Sequence, residues 1–454
     1  MIDKITELVK GDMSAETLAQ YFLRGYYAGK IIEYPINPFQ ILTDLGVPFT
    51  FRPFKKYEGI YIPTFEEDDF PIVGINLLRP ISRQRFTAAH ELCHHLKDSK
   101  LGCMCLTNSN ADIERYAENF AAELLMPSAE FKRQVSLYEK DGYIEFDGVL
   151  KVAQYFGVSF QSCLYRIAYR LHKIKGDTQS KELRKKIKKY KPQIKKNEYG
   201  YNDVLLYEQL FNAVGERFDF LSTPHSCQKF KNEYIYFDSR MEGVEIDQET
   251  VADIVMDIRE NKQDSKYCNE ENKNIIEVAG LTLAYDYAFN ECSTEINIYD
   301  ANHLNKYIFS TAPYPDMGGR YRETNTLVLG AKFETIDYRL IPQAMYELDK
   351  DIQELLINNV NFSCSQYIER VVQIHHRLTV IHAFRDGNGR TSRAFLNMLL
   401  LKRHIPPVFF RDKEKDRYKD ALGVADKTGD FSQLYEEFYK AIMGSNSVLS
   451  DYRF

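Results

Sequence analysis

Apolar residues along this 454-residue chain recur in two rhythms. Spacing near 3.6 predicts helices over residues 14–28, 113–126, 150–171, 205–220, 275–288, 302–309, 341–360, 418–422 and 431–442. Strict alternation appears in Val47-Pro48-Phe49-Thr50-Phe51, and residues 58–62 and 72–76 read as two short strands. Near the C-terminus, Val371, Val372, Ile374, Leu378 and Val380 predict a helix that breaks at a pair of glycines. A helical pattern resumes from Thr391 to Leu400. One stretch breaks both rhythms. Residues 181–196 hold nine Lys or Arg and one acid, with few apolar positions, and read as an exposed linker or charged helix.

The broken helix near the C-terminus carries the densest chemistry. It reads Ile381-His382-Ala383-Phe384-Arg385-Asp386-Gly387-Asn388-Gly389-Arg390-Thr391-Ser392-Arg393. A glycine-rich loop feeding a helix N-terminus presents backbone N–H groups to an anion. Arg390 and Arg393, three residues apart, share one helix face. A histidine, an aspartate and an asparagine complete an inventory suited to phosphoryl-group chemistry.

The stretch resembles the Fic family motif H-x-F-x-D/E-G-N-G-R-x-x-R without departure. The resemblance implies transfer of AMP from ATP to a protein hydroxyl. His382 would then be the base, and Asp386 would hold Mg²⁺. Gly387, Asn388 and Gly389 would receive the developing charge, through their amides and the Asn388 side chain. Arg390 and Arg393 would bind the β- and γ-phosphates, and Phe384 would be core.

A second constellation lies near the N-terminus, in Arg83-Gln84-Arg85-Phe86-Thr87-Ala88-Ala89-His90-Glu91-Leu92-Cys93-His94-His95. His90 and His94, four apart on a helix, face one metal. Glu91 is placed as general base toward a water there. The helical run from Ile113 to Met126 follows about twenty residues later and allows a carboxylate to return to the metal. Two imidazoles, one carboxylate and a water make an open Zn²⁺ site. Mn²⁺ or Fe²⁺ would accept the same ligands.

These segments resemble the ImmA/IrrE-like metallopeptidases, which pair R-x-R-F-T-x-A-H-E-x-x-H-H with E-x-E-A-N-x-F-A-A-x-L-L-M-P. Tyr116 stands where the second Glu of that pair is usual, and Glu118 stands where Asn is. Glu114 is then the expected third ligand, with Glu118 as the alternative or as partner to a ligand histidine. Cys93 is expected to turn away, His95 to be core or to support a ligand rather than bind the metal itself, and Cys103 and Cys105 to be free thiols. Such relatives often cut a helix-turn-helix repressor.

Two further segments resemble accessory parts of Fic proteins. Tyr236 to Val244 is similar to the inhibitory-helix motif: Glu242 and Gly243 match, while Asp238 stands where Ser or Thr is usual. The resemblance implies that Glu242 pairs with Arg393 and takes the place of the ATP γ-phosphate. Gly319-Arg320-Tyr321-Arg322 and the following 326–330 resemble the flap, a short hairpin whose edge would hold a target by strand addition. Tyr321, Arg322 and Leu327 are its expected target-binding residues.

Composition adds limits. Hydrophobic residues make up 44%, including 32 Tyr and 29 Phe, enough for two or three cores. A net charge of −6 predicts no strong direct nucleic-acid binding. No run looks like a signal peptide or reaches transmembrane length, so no membrane association is expected. Eight cysteines without a disulfide-like spacing fit reduced thiols and a cytoplasmic setting.

The expected architecture is mainly α with small β elements (α+β). A zincin-like α+β peptidase domain with a short sheet spans 1–175, and a basic linker spans 176–200. An all-α Fic domain with a β-hairpin flap spans 201–454, with the inhibitory helix near 236–243. The expected function is a cytosolic regulator combining a zinc endopeptidase with an autoinhibited adenylyltransferase using ATP and Mg²⁺. Its expected partners are a repressor and a Ser, Thr or Tyr-bearing protein, and homodimerisation stays open. The rival reading keeps one module catalytic and makes the other a binding platform, as in a toxin–antitoxin or phage-response switch.

Overall fold

The computed structural model describes residues 13–64, 70–97, 103–106, 112–215, 224–326 and 335–449. Leu327, the rest of the expected hairpin to residue 330, and positions 216–220 of one expected helix lie outside them. The architecture is mainly α with a small sheet. The chain divides into two compact units, Met1–Val214 and Gly215–Phe454.

In the first unit, α1 (Ala15–Tyr26) starts where the Ser14 side chain accepts from the Thr17 amide. Asn37 caps α2 (Pro38–Asp44) in the same manner. A four-stranded sheet follows, from β1 (Phe49–Arg52), β2 (Tyr57–Ile62), β3 (Ile72–Asn76) and β4 (Cys103–Leu106), in the order β1-β3-β2-β4. β1 runs parallel to β3, and β2 runs antiparallel to both β3 and β4. The helix bearing the histidine pair, α3 (Ile81–Lys97), lies on β2 and β3 and against α4 (Asp112–Leu125). Phe22 of α1 meets Phe120 of α4 edge-on, 6.4 Å between ring centres. Helices α5 (Ser128–Ser136), α6 (Phe146–Phe156) and α7 (Phe160–Arg166) complete this layer.

The basic segment is helical and belongs to this unit. It forms α8 (Ser180–Tyr190) and α9 (Pro192–Glu198). Leu183 is buried, and the Tyr190 ring stacks on Phe160 while its hydroxyl donates to Asp147 at 2.6 Å. The next helix, α10 (Val204–Val214), packs on α2 and α3. Arg85 explains why. Its guanidinium is fully buried and donates to the carbonyls of Gly157 and Ile36 and to the Gln209 side chain. A buried cation needs acceptors on every side, and α10 supplies one. The compact unit therefore closes at Val214, not at residue 175, and residues 201–214 lie with the first unit rather than the second.

The second unit is helical. It contains α11 (Pro224–Met241), α12 (Gln248–Asn261), α13 (Lys273–Glu291), α14 (Tyr299–Phe309) and α15 (Ile341–Ile357). They are followed by α16 (Cys364–Ile381), α17 (Asn388–Lys402), α18 (Asp412–Thr428) and α19 (Ser432–Leu449). α17 is buried almost all round, as a helix apolar or paired on every face must be. α13, α14 and α16 surround it. Gly280 lets α13 approach α14, since a Cβ there would collide with the Ile308 carbonyl. No helix among the described residues is long and apolar enough to cross a membrane.

Candidate functional site

The first unit gathers His90, His94 and Glu114, whose donor atoms all lie within 4.8 Å of one another. The two Nε2 atoms are 3.1 Å apart, and His90 Nε2 is 3.1 Å from Glu114 Oε2. Helical spacing on α3 aligns the rings, and the return of α4 brings the carboxylate. Burial holds the His90 imidazole below its ordinary value, against the opposing pull of Glu114. Two imidazole nitrogens facing one another beside a carboxylate are the donor set a divalent cation such as Zn²⁺ takes. Glu118 is not in this group. It is exposed on the rim of a separate cavity of about 850 Å³, beside Arg83.

Glu91 is fully buried on α3, facing β2. Gly59 makes room for it, because any Cβ there would strike the Glu91 carboxylate and the Thr87 methyl. His95 accepts or donates at Nδ1 with Tyr61, 3.1 Å away, and Cys93 is buried. Tyr116 donates to the Met13 carbonyl at 2.8 Å and lies under Lys97, so this position ties the start of α1 to α4.

The second unit folds the glycine loop around three devices. α16 ends at His382, which adopts a left-handed conformation (φ 48°). Gly387 (φ 73°) turns the chain into α17. Between them the Asn388 side chain accepts from the Phe384 amide at 2.9 Å and donates to the Phe384 carbonyl at 2.8 Å. Asn388 therefore pinches the loop shut, its amide oxygen and one N–H both engaged by Phe384. Asp386 is exposed and accepts from the Gly387 amide at 2.6 Å. The first-turn amides of α17 have no carbonyl within the helix to meet, which leaves an electropositive N-terminus.

His382 is half-buried, and burial together with the nearby Arg322 holds its imidazole below the ordinary value. It is thus neutral near pH 7, as a proton acceptor must be. Arg322 itself is buried. It donates to the His382 carbonyl at 2.8 Å, to Thr324 at 2.8 Å and to Ile336. Its backbone amide donates to Ala383, and Tyr321 bridges to Phe384 as a one-residue antiparallel pairing. Tyr321 and Arg322 are thereby braces of the loop. A target-binding role for Arg322 does not fit a guanidinium already satisfied by three carbonyls.

Both motif arginines are buried and paired. Arg393 meets Asp238 and, at 2.6 Å, Glu242, as the inhibitory-motif resemblance implies for Glu242. Burial alone would raise the Glu242 carboxyl, but Arg393 and Arg390 pull it below its ordinary value. Arg390 pairs with Glu277 of α13. Neither Glu277 nor Asn305 was among the residues singled out from sequence. Asn305 donates to the Asp386 carbonyl and to Thr391 at 3.0 Å each, and accepts from the Gly319 amide at 2.8 Å. The available signal was an acid inside an apolar helical run, Ile275-Ile276-Glu277-Val278-Ala279.

Two family models match this chain: the IrrE N-terminal-like domain over residues 42–168, and the Fic/DOC family over residues 295–400. The chain joins an IrrE N-terminal-like region to a Fic region. The chain is similar to the protein adenylyltransferase fic-1 of Caenorhabditis elegans, 32% identical over 155 residues, covering 33% of this chain and 28% of that protein. It is also similar to the protein adenylyltransferase Fic of Nematostella vectensis, 30% identical over 154 residues, covering 33% of this chain and 34% of that one. The chain thus spans about a third of the length of these curated relatives. Among solved structures, Fic-1 (residues 134–508) of C. elegans superposes with a TM-score of 0.44 at 17% identity, covering 80% of this chain and 97% of that one. The IrrE N-terminal-like region holds the histidine pair and Glu114, and the Fic region holds the glycine loop from His382 to Arg393.

Proposed function

We propose that the Fic region transfers AMP from ATP to a Ser, Thr or Tyr hydroxyl of a protein, and that Glu242 restrains it. The observation that carries this reading is the placement of a half-buried His382 at the mouth of a glycine loop flanked by Arg390 and Arg393. His382 takes the hydroxyl proton, and the hydroxyl oxygen attacks the α-phosphorus. The bond from that phosphorus to the bridging oxygen breaks, and pyrophosphate leaves. The α17 amides face the developing charge, and the arginines hold the departing phosphates. Asp386 would hold a magnesium ion, which would supply further neutralisation of the phosphate charge.

The same reading makes the IrrE N-terminal-like region a zinc endopeptidase that cuts a helix-turn-helix repressor. His90, His94 and Glu114 would hold the zinc, which would supply Lewis-acid chemistry there when bound. Glu91 would take the proton of the attacking water as its oxygen adds to the scissile carbonyl carbon, and would return it to the amine nitrogen as the C–N bond breaks. The intact base favours catalysis over a purely structural site, since a structural metal requires none. The whole is a cytoplasmic stress-response or phage-response protein.

The test is incubation of the full chain with ATP labelled in its α-phosphate and magnesium. Glu242→Gly is expected to raise incorporation of label into protein by about tenfold or more, the scale of one charge-assisted contact removed. Unchanged incorporation in that variant removes the claim of restraint. No incorporation under any condition removes the transferase reading.

A further inference from the structure

Two acids one turn apart, Asp238 within α11 and Glu242 just past its end, reach the same arginine from different sides. The Asp238 side chain is 2% exposed and grips Arg393 at Nε, with its second oxygen 3.3 Å from Nη2. The Glu242 side chain is 33% exposed and meets Nη2 at 2.6 Å. The remaining amino group, Nη1, faces the glycine loop: a Cβ at Gly389 would lie 3.0 Å from it. A guanidinium is planar, so fixing its Nε edge fixes where the other donors point.

The two acids also differ in what holds them. The body of α11 is core. Tyr234 stacks on Tyr285 at 3.5 Å, Phe237 stacks on Phe409 at 5.1 Å, and Phe230 and Ile235 are fully buried. Asp238 is locked into that packing. Glu242 lies beyond Met241, the last residue of α11, and precedes Gly243, which has a left-handed backbone (φ 86°). One arginine therefore has a fixed partner and an exchangeable one.

We propose that Asp238 is a positioning residue for nucleotide binding. From the core side it aims Arg393 at the glycine loop, whether Glu242 or the terminal phosphate of a nucleoside triphosphate occupies the outer side. The proposal rests on the nucleotidyl-transfer reading above.

Calorimetry on the full chain tests it, using a non-hydrolysable ATP analogue and ADP, each with magnesium. Glu242→Gly serves as the parent, so that the outer side of Arg393 is open. Adding Asp238→Ala is expected to weaken the triphosphate analogue by about tenfold, the scale of one hydrogen bond to a charged group. ADP affinity is expected to hold, because the lost aim concerns the terminal phosphate. Asp238→Asn, which keeps an oxygen for Nε, is expected to fall between, and KM for ATP is expected to rise more than kcat falls.

Triphosphate binding as tight as the parent or tighter makes Asp238 a competing anion and overturns the proposal. Equal weakening of both nucleotides marks a general support of the fold and also overturns it. If Asp238→Ala does not fold, the ratio of ATP-analogue to ADP affinity in Asp238→Asn decides, and an unchanged ratio overturns it. A parent that binds no triphosphate at all sinks the nucleotidyl-transfer reading and this proposal together, which is a different result from a parent that binds and a double variant that binds equally.

Discussion

In the first unit the clustered side chains are two buried imidazoles and the Glu114 carboxylate, with Glu91 beside the histidines on the same helix. In the second unit the clustered side chains include two cations, and buried acids from α11 and α13 face both of them. The first arrangement lacks positive charge among its converging atoms and is complementary to a cation. The second is already neutralised from within, so an anionic ligand must displace a carboxylate to gain from Arg393. The difference teaches where regulation is built. A donor cluster of this kind would respond to the supply of a metal, whereas a self-paired anion site responds to whatever moves its own acid.

The largest effect should come from the base of the second site. His382→Ala is expected to lower AMP transfer by roughly 10²–10⁴-fold, the usual weight of a general base, with the far-ultraviolet spectrum unchanged. Transfer that survives would mean that α17 and its arginines, rather than His382, define the site. The matching experiment in the first unit is Glu91→Gln. Repressor cleavage is expected to fall by a similar factor of about 10²–10⁴ while zinc content, read by metal analysis, is retained. Loss of zinc in this variant would make Glu91 part of the donor cluster and blur the contrast between base and ligand.

A smaller effect concerns stability. Glu277→Ala leaves Arg390 buried beside a missing carboxylate, and breaking such a pair costs about 3–5 kcal/mol. The unfolding midpoint in urea should drop accordingly, and an unchanged midpoint would show that the arginines are less dependent on internal acids than the contrast requires. The smallest effect is on pH dependence. His382 is held below its ordinary value of about 6.5. The group must be neutral to accept a proton, so kcat/KM for transfer should be flat above that value and fall as pH drops through the lowered pKa. An acid limb centred above about 6.5 would contradict the burial of His382.

The sequence by itself determined what repeats or what is contiguous. Helical spacing put His90 beside His94, and the unbroken run from His382 to Arg393 placed base, glycines and arginines within one turn-and-helix. Glu242 was legible because its neighbour Gly243 and its spacing in the segment fit a known local pattern. Only tertiary structure decided the rest, because the groups concerned sit on different helices and meet only once those helices pack. Glu277 and Asp238 look like ordinary helical acids until α13 and α11 fold beside α17. The choice of Glu114 over Glu118 depended on which turn of α4 faces α3, a matter of helix rotation that spacing alone leaves open. The unit boundary followed the same logic. A run of lysines reads as solvated, but buried Arg85 recruits an acceptor from Gln209, and the long-range demand of one desolvated charge outweighs the local composition between them.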